Sequence, residues 1–207
     1  MKICAMQPYF VPYPGYYYLH RGVDIFVILD DVQFNRRGRV HRNQIYFKNN
    51  IKKWLTLPLK KKKVDTKILD LEFDLLSDQK LNYLNNIETL CLNKNLNFIY
   101  DDLINLNTSP LNFINNLNNK IIKKLDIKCK FLFSSKISKS NLKGEKKIID
   151  ICKKLKAKEY INLPGGKEIY NFMNFKKEGI KLTFLSAYEG EKISILNYFC
   201  KNINFKI

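Results

Sequence analysis

The chain opens on a short apolar run, Ile3-Cys4-Ala5-Met6, stopped by Gln7-Pro8, which reads as a buried first strand. Prolines 8, 12 and 14 punctuate the next eight residues, Pro8-Tyr9-Phe10-Val11-Pro12-Tyr13-Pro14-Gly15. Each proline fixes its own φ and offers no N–H, so this stretch reads as an irregular loop. Gly15 to Arg21 suits a short helix, and Ile25-Phe26-Val27-Ile28-Leu29 a second strand ending at Asp30-Asp31. Residues 43–47 and 53–57 read as strands on either side of Lys48-Asn49-Asn50-Ile51, a hairpin connection. Residues 67–74 alternate apolar and polar positions, the pattern of a half-exposed strand near a sheet edge.

The period then lengthens. Ser77 is placed to cap a helix with Leu81, Leu84, Ile87, Leu90 and Cys91 on one face, and Ser109-Pro110 is an N-cap followed by proline at the first helical position. From Lys128 strands and helices alternate: a strand at 129–133, a helix at 145–156, a strand at 160–163, a helix from about Lys167 and a strand at 182–185, with a last helix from near Ser194. Such alternation predicts parallel βαβ units joined by crossover helices. The expected fold is therefore α/β, a predominantly parallel sheet built from βαβ units, with a hairpin and a largely helical insertion at about residues 75–127. No internal repeat or long linker divides it, so a single domain over 1–207 is expected.

Composition changes this picture little. At 207 residues the chain can bury a core without a metal or disulfide staple. The five cysteines, Cys4, Cys91, Cys129, Cys152 and Cys200, are odd in number and form no CxxC pair or Cys/His cluster, which fits a reducing, cytoplasmic setting. No stretch approaches 18 uncharged apolar residues and residues 1–6 run straight into a strand, so neither export nor a membrane span is expected, while loose attachment to an anionic membrane stays open. The formal charge of +18 invites a nucleic-acid reading. But the chain also holds 24 asparagines, and its lysine and isoleucine share A/T-rich codons with them. Diffuse lysine is thus weak support for a polyanion partner, and Lys60-Lys61-Lys62-Lys63 reads as a solvated loop before it reads as a phosphate patch.

Arginine is different. Of 37 basic residues 5 are arginine, and all of them (Arg21, Arg36, Arg37, Arg39, Arg42) fall between positions 20 and 42 together with both histidines, His20 and His41. Guanidinium forks bind phosphate or carboxylate in a planar, bidentate way that lysine does not. Three constellations follow. Gln7, Tyr9 and Tyr16 stand on the loop leaving the first strand, either as the wall of a ligand site at a strand's carboxyl end or as an aromatic plug. Asp30-Asp31 and Gln33 precede Arg36, Arg37, Arg42 and Asn43, which either hold an anion or satisfy one another as ion pairs, with Asp31, His41 or Asp30 as candidate bases. Asn162, Gly165, Gly166 and Lys167 form a strand-to-helix turn that either offers N–H donors to an anion or needs positive φ. Lys136-Ile137-Ser138-Lys139-Ser140 resembles a synthetase signature, but it arises easily in a lysine-rich chain and no HxGH element accompanies it. Cys4, on a buried strand, reads as core.

Met6-Gln7-Pro8-Tyr9-Phe10, Pro12-Tyr13, Gly15-Tyr16, Asp30-Asp31-Val32-Gln33-Phe34, Arg42-Asn43, Trp54-Leu55-Thr56-Leu57-Pro58, Tyr160-Ile161-Asn162, Pro164-Gly165-Gly166 and Ser194-Ile195-Leu196 keep an order that resembles the WbqC-like family of bacterial proteins. The chain departs from the family pattern at Gly38-Arg39, His41 and Gln44. The resemblance implies a role in O-antigen, lipopolysaccharide or related surface-glycan biosynthesis. On that footing the expected activity is transfer of an acyl or aminoacyl group onto the amine of a nucleotide-linked amino sugar. Acyl-CoA and aminoacyl-tRNA are the candidate donors; no metal is implied. The alternative is a non-catalytic binding or scaffold protein that presents a carrier or a charged tRNA.

Overall fold

The computed structural model describes residues 1–47, 50–91, 94–138 and 141–201. In chain order its elements are β1 (Lys2–Met6), α1 (Pro14–Arg21), β2 (Ile25–Ile28), β3 (Arg42–Tyr46), β4 (Lys52–Thr56), α2 (Asp78–Cys91), α3 (Tyr100–Ile104), α4 (Pro110–Lys124), β5 (Lys130–Phe133), α5 (Ser134–Ile137), α6 (Gly144–Lys154), β6 (Glu159–Asn162), α7 (Phe172–Lys177), β7 (Lys181–Phe184) and α8 (Ile195–Cys200). The expected α/β class, with a mostly parallel sheet, a separate hairpin and helices in the middle of the chain, is what forms. The chain gathers into two compact units. A sheet unit comprises Met1–Gln7, Gly15–Val32 and Ile127–Gly190, and a hairpin unit comprises Pro8–Pro14, Gln33–Asp126 and Glu191–Ile207.

The sheet unit holds five strands in the order β5-β2-β1-β6-β7, every neighbouring pair parallel. Strands of such a sheet are covered on both faces, which is why Ile3, Cys4 and Ala5 and all four residues of β2 are buried although they do not alternate with polar residues. Ile3, Ala5, Ile25 and Val27 share one core with Ile148, Ile151 and Cys152 of α6 and Phe175 of α7; each fully buried aliphatic chain there contributes about 1.5–3 kcal/mol. The chain builds β1, then β2 and β5 outward on one side, and returns past β1 to lay down β6 and β7 on the other. The order therefore reverses between β1 and β6. In open α/β sheets the crevice beyond the carboxyl ends of the strands at such a reversal is where ligands bind.

In the hairpin unit β3 and β4 pair antiparallel, with Asn43 opposite Leu55 and Gln44 opposite Trp54. Alternation sends Asn43, Ile45 and Leu55 inward at 0 % exposure and leaves Arg42, Gln44 and Trp54 on the other face. Ser109 caps α4 as expected, accepting from Asn112 N, and Pro110 occupies its first turn. Phe10, from the proline-rich loop, lies 6.3 Å from both Tyr83 of α2 and Phe113 of α4.

Three expectations are corrected. Residues 67–74 are not a strand: they form a 3-10 turn at Ile68–Asp70 between two isolated bridges, Gln33 with Lys67 and Leu59 with Phe73. Their alternation arises because Ile68, Leu71 and Phe73 reach the core from irregular backbone. The packed face of α2 is Tyr83, Ile87 and Leu90, whereas Leu81, in the first turn, is 62 % exposed. The helix expected from about Lys167 starts at Phe172 instead, capped by Asn171, after a 3-10 turn at Pro164–Gly166. Lys48 and Asn49 of the hairpin connection, Lys139 and Ser140 of the Lys136–Ser140 motif, and the Cys91 side chain lie outside the described residues.

Candidate functional site

In the sheet unit the carboxyl ends of the strands carry Gln7, Asp30-Asp31, Ser134-Ser135 and Asn162 to Gly166. Asp30, 3 % exposed, accepts from Ser134 Oγ (3.0 Å), Ser135 N (2.9 Å) and Ser135 Oγ (2.6 Å). Asp31 accepts from Lys147 Nζ (2.6 Å) and from Ser134 Oγ. The Lys147 and Asp31 side chains are only 5 % and 12 % exposed. Burial opposes the charge on Asp31, but the hydrogen bonds from Lys147 and Ser134, with the lysine's charge, outweigh it and hold the carboxyl below its ordinary range. A lone proton on Ser134 serves one carboxylate at a time, so the remaining balance falls to Lys147. One signal alone marks that lysine in advance: position 147 falls on the buried stripe of α6 with Ile148, Ile151 and Cys152. Both aspartates are thus satisfied within this unit.

Tyr16, 1 % exposed, donates to Gln7 O (3.0 Å) and ties α1 to the end of β1. The Asn162 amide is turned on its own chain: Oδ1 accepts from Leu163 N (2.7 Å), and Nδ2 lies 3.4 Å from Tyr160 Oη. Gly166 has no positive φ. It is glycine because a Cβ would stand 2.9 Å from Asn162 Nδ2 and 3.0 Å from Phe184 Cε1. Its N–H is committed to Leu163 O (2.9 Å), whereas Gly165 and Lys167 are exposed and Gly165 has open space where a Cβ would lie. Tyr17 is wholly buried, as expected of a packing residue. Burial also raises the thiols of Cys4, Cys129, Cys152 and Cys200, so none is poised as a thiolate. Ser138 is buried and donates to Asp150 (2.5 Å).

The hairpin unit holds Tyr9, Gln33, Arg36, Arg37, Arg39, His41, Arg42 and Asn43. Asn43 is the pin of the proline-rich loop. Its Nδ2 donates to Val11 O (2.8 Å) and Phe10 O (3.3 Å), while its Oδ1 accepts from Arg39 Nη1 (2.6 Å) and Gln44 N (2.9 Å). Val11 has φ of 36°, a conformation a β-branched residue adopts only under compulsion. Ser194 Oγ supplies a second donor to its carbonyl (2.8 Å), and Ile195 N bonds Pro12 O (2.9 Å). Asn197 then completes the free edge of β3, accepting from Tyr46 N and donating to Tyr46 O, both at 2.9 Å. Residues 194–197 therefore lock the loop from behind. Tyr9 adds a fixed point through its carbonyl, which accepts from Asn118 Nδ2 (2.9 Å).

Around that lock the arginines gather. Arg42 lies over the Trp54 ring at 4.3 Å, as its diagonal position across β3 and β4 allows, and Arg39, from the segment before β3, lies 5.9 Å from the same ring. Arg42 Nη2 donates to Arg37 O (3.0 Å), and Arg36 Nη2 to Lys62 O (2.7 Å). Gln33 Nε2 donates to Val64 O (2.8 Å). Among the described residues no carboxylate lies within ion-pair distance of Arg36, Arg37, Arg39 or Arg42. The arginines spend their donors on carbonyl and amide oxygens, and Arg42 Nε and His41 Nδ1 are buried with no partner. Burial, then the charges of Arg42 and Arg36, lower His41 to about 4, so its imidazole is neutral at pH 7. Trp54 remains 40 % exposed, leaving a ring face open beside the guanidiniums.

The fold and these two clusters define an α/β protein with an open parallel sheet, a satisfied acidic network and an unneutralised arginine face. Over residues 7–194 the chain matches the model of the WbqC-like protein family, and it belongs to that family. It is also similar to the uncharacterized protein Rv1507c of Mycobacterium tuberculosis, 34 % identical over 61 residues, which cover 30 % of this chain and 26 % of that protein. The chain thus spans about a quarter of the length of that curated relative. No solved structure matches it. Among the described residues no helix is long and apolar enough to cross a membrane, and no group of three or more His, Cys, Asp or Glu is placed to hold a metal ion.

Proposed function

We propose that this chain is a transferase of surface-glycan biosynthesis that moves an acyl or aminoacyl group onto the amine of a nucleotide-linked amino sugar. The observation that supports this reading most is the arginine face: four guanidiniums with no carboxylate partner among the described residues, two of them, Arg39 and Arg42, over a tryptophan ring that is 40 % exposed. Guanidinium groups suit a diphosphate, and an indole face suits a sugar or base ring. Arg36, Arg37 and Arg42 take the phosphate role, with Gln33 and Tyr9 bordering it. Asn43 holds Arg39 and the loop rather than the ligand. In the sheet unit Gln7, Tyr16, Asn162 and Lys167 flank the strand ends at the order reversal, where Gly165 leaves room for a ligand atom.

In the reaction the amine nitrogen bonds to the donor's carbonyl carbon, and the bond from that carbon to sulfur or oxygen breaks. The leaving group departs with the electron pair and takes up the proton the amine loses. His41, deprotonated at pH 7, is the better placed of the candidate bases to relay that proton. Asp31 is held as an anion by Lys147, which makes it a weak base, and the donors around Asp30 suit it to positioning. Nucleotide-linked amino sugars incubated with acyl-CoA or charged tRNA should yield an N-acylated product by mass spectrometry. His41→Gln should lower turnover about tenfold or more with sugar affinity retained; unchanged turnover would remove the base assignment.

A further inference from the structure

Lys60-Lys61-Lys62-Lys63 was expected to be a solvated loop, yet the segment from Lys60 to Lys67 is stapled along its length. Gln33 Nε2 donates to Val64 O (2.8 Å), Phe34 N to Thr66 O (2.8 Å), Arg36 Nη2 to Lys62 O (2.7 Å) and Lys60 N to Glu72 O (3.0 Å), and Gln33 bridges Lys67. The stapled backbone surrounds an open hollow of ≈ 500 Å³ lined by Lys61, Lys62, Lys63, Asp65, Thr66, Lys67 and Asp70. Glu72 neutralises Lys60 and Lys62. Among the described residues no carboxylate reaches Lys61, Lys63 or Lys67 within ion-pair distance, although two aspartates line the same hollow. The lining therefore joins unneutralised ammonium groups to a hydroxyl and two carboxylate acceptors, in a volume within the roughly 300–1,000 Å³ of small-molecule sites.

We infer that this hollow binds a nucleotide carrying two or more phosphates, the lysines taking the phosphates and Asp65, Thr66 or Asp70 the ribose hydroxyls or base amine. A discrete nucleotide fits better than an RNA strand, because Lys61, Lys62, Lys63 and Lys67 line the same open hollow of ≈ 500 Å³, an extent that suits one nucleotide. A fixed loop also binds without the ordering entropy a mobile lysine run would lose. If the transferase reading holds, the hollow takes the nucleotide handle of the acyl donor; that clause rests on the reading, whereas the binding itself does not.

Calorimetric titration of the full chain with AMP, ADP, coenzyme A, inorganic pyrophosphate and a short single-stranded RNA tests it, using the triple variant Lys61→Gln, Lys63→Gln, Lys67→Gln against the control variant Lys146→Gln, Lys176→Gln, Lys177→Gln, which removes as many charges outside the lining. All six lysines are exposed, and equal melting temperatures would establish that both variants are folded. Saturable one-to-one binding should strengthen from AMP to ADP, weaken at least tenfold in the triple variant and stay unchanged in the control. Arg42→Lys should leave it intact, even where the same substitution abolishes or spares amino-sugar binding, so the two ideas fail separately. Binding of RNA alone with a steep salt dependence, equal losses in both triple variants, loss of ADP binding in Arg42→Lys, or no saturable binding at all would overturn the site.

Discussion

The two clusters of this protein hold their charges in opposite ways. In the sheet unit the two aspartates are met by two serines, a backbone N–H and a buried lysine, so the network is closed on itself. In the hairpin unit Arg36, Arg39 and Arg42 donate to neutral oxygens, and among the described residues two buried nitrogens nearby find no partner. A closed buried network specifies structure, because breaking it leaves a charge stranded. An open one keeps a field in hand for something that is not part of the chain. On the proposed function, the first region serves stability and the second recognition.

Removing a partner from the closed network should have the largest effect. Lys147→Met leaves Asp31 buried without its cation and should lower stability by about 3–5 kcal/mol, read as a shift of the denaturant midpoint. Adding Asp31→Leu should recover most of that loss. If the single change is silent, the ion pair is ornamental. Next comes Asn43→Ala, which strips donors from the Phe10 and Val11 carbonyls and should cost about 2–3 kcal/mol. It should also expose the 8–14 loop to proteolysis, since Val11 then lacks one of the two bonds holding its left-handed backbone.

Acid comes third. His20, 1 % exposed and stacked 3.9 Å from Phe26, is lowered by burial to about 3, and His41 to about 4. The unfolded chain binds protons at both near pH 6.5 while the folded chain resists, so stability is full above about 6.5 and falls as pH drops toward 4. Asp31, with its folded pKa depressed, adds a further loss below the ordinary carboxylate range. His41→Gln should flatten part of the melting-temperature profile between pH 6.5 and 4 and leave the plateau unchanged; an unaltered slope would contradict a buried neutral His41. The smallest effect on stability is expected from Arg42→Lys, about 0.5–1 kcal/mol, the worth of the guanidinium stack on Trp54 that an ammonium keeps only in part.

Much of this was open to reading from sequence, for identifiable reasons. Uninterrupted apolar runs such as Ile25–Ile28 marked strands covered on both faces, and Ser109-Pro110 marked a helix start with two independent signals. The arginine cluster stood out only because lysine fills nearly every other basic position. What escaped depended on tertiary neighbours. Lys147 looks like any surface lysine until the buried stripe of α6 is oriented, and the 67–74 alternation looked like a strand because periodicity does not report whether the backbone finds a ladder. Gly166 suggested a special φ and proved to be a matter of side-chain room beside Phe184 and Tyr170.

The central claim is that the arginine face awaits a phosphorylated ligand, and equilibrium binding of a nucleotide-linked amino sugar to wild-type protein and to Arg42→Lys measures it most directly. The account predicts saturable binding that weakens at least tenfold, about 1.4 kcal/mol, when the planar fork becomes a point charge, with the free protein still folded and its melting temperature lowered by no more than about 4 °C. Equal affinity in both proteins, or no binding to either, would contradict it.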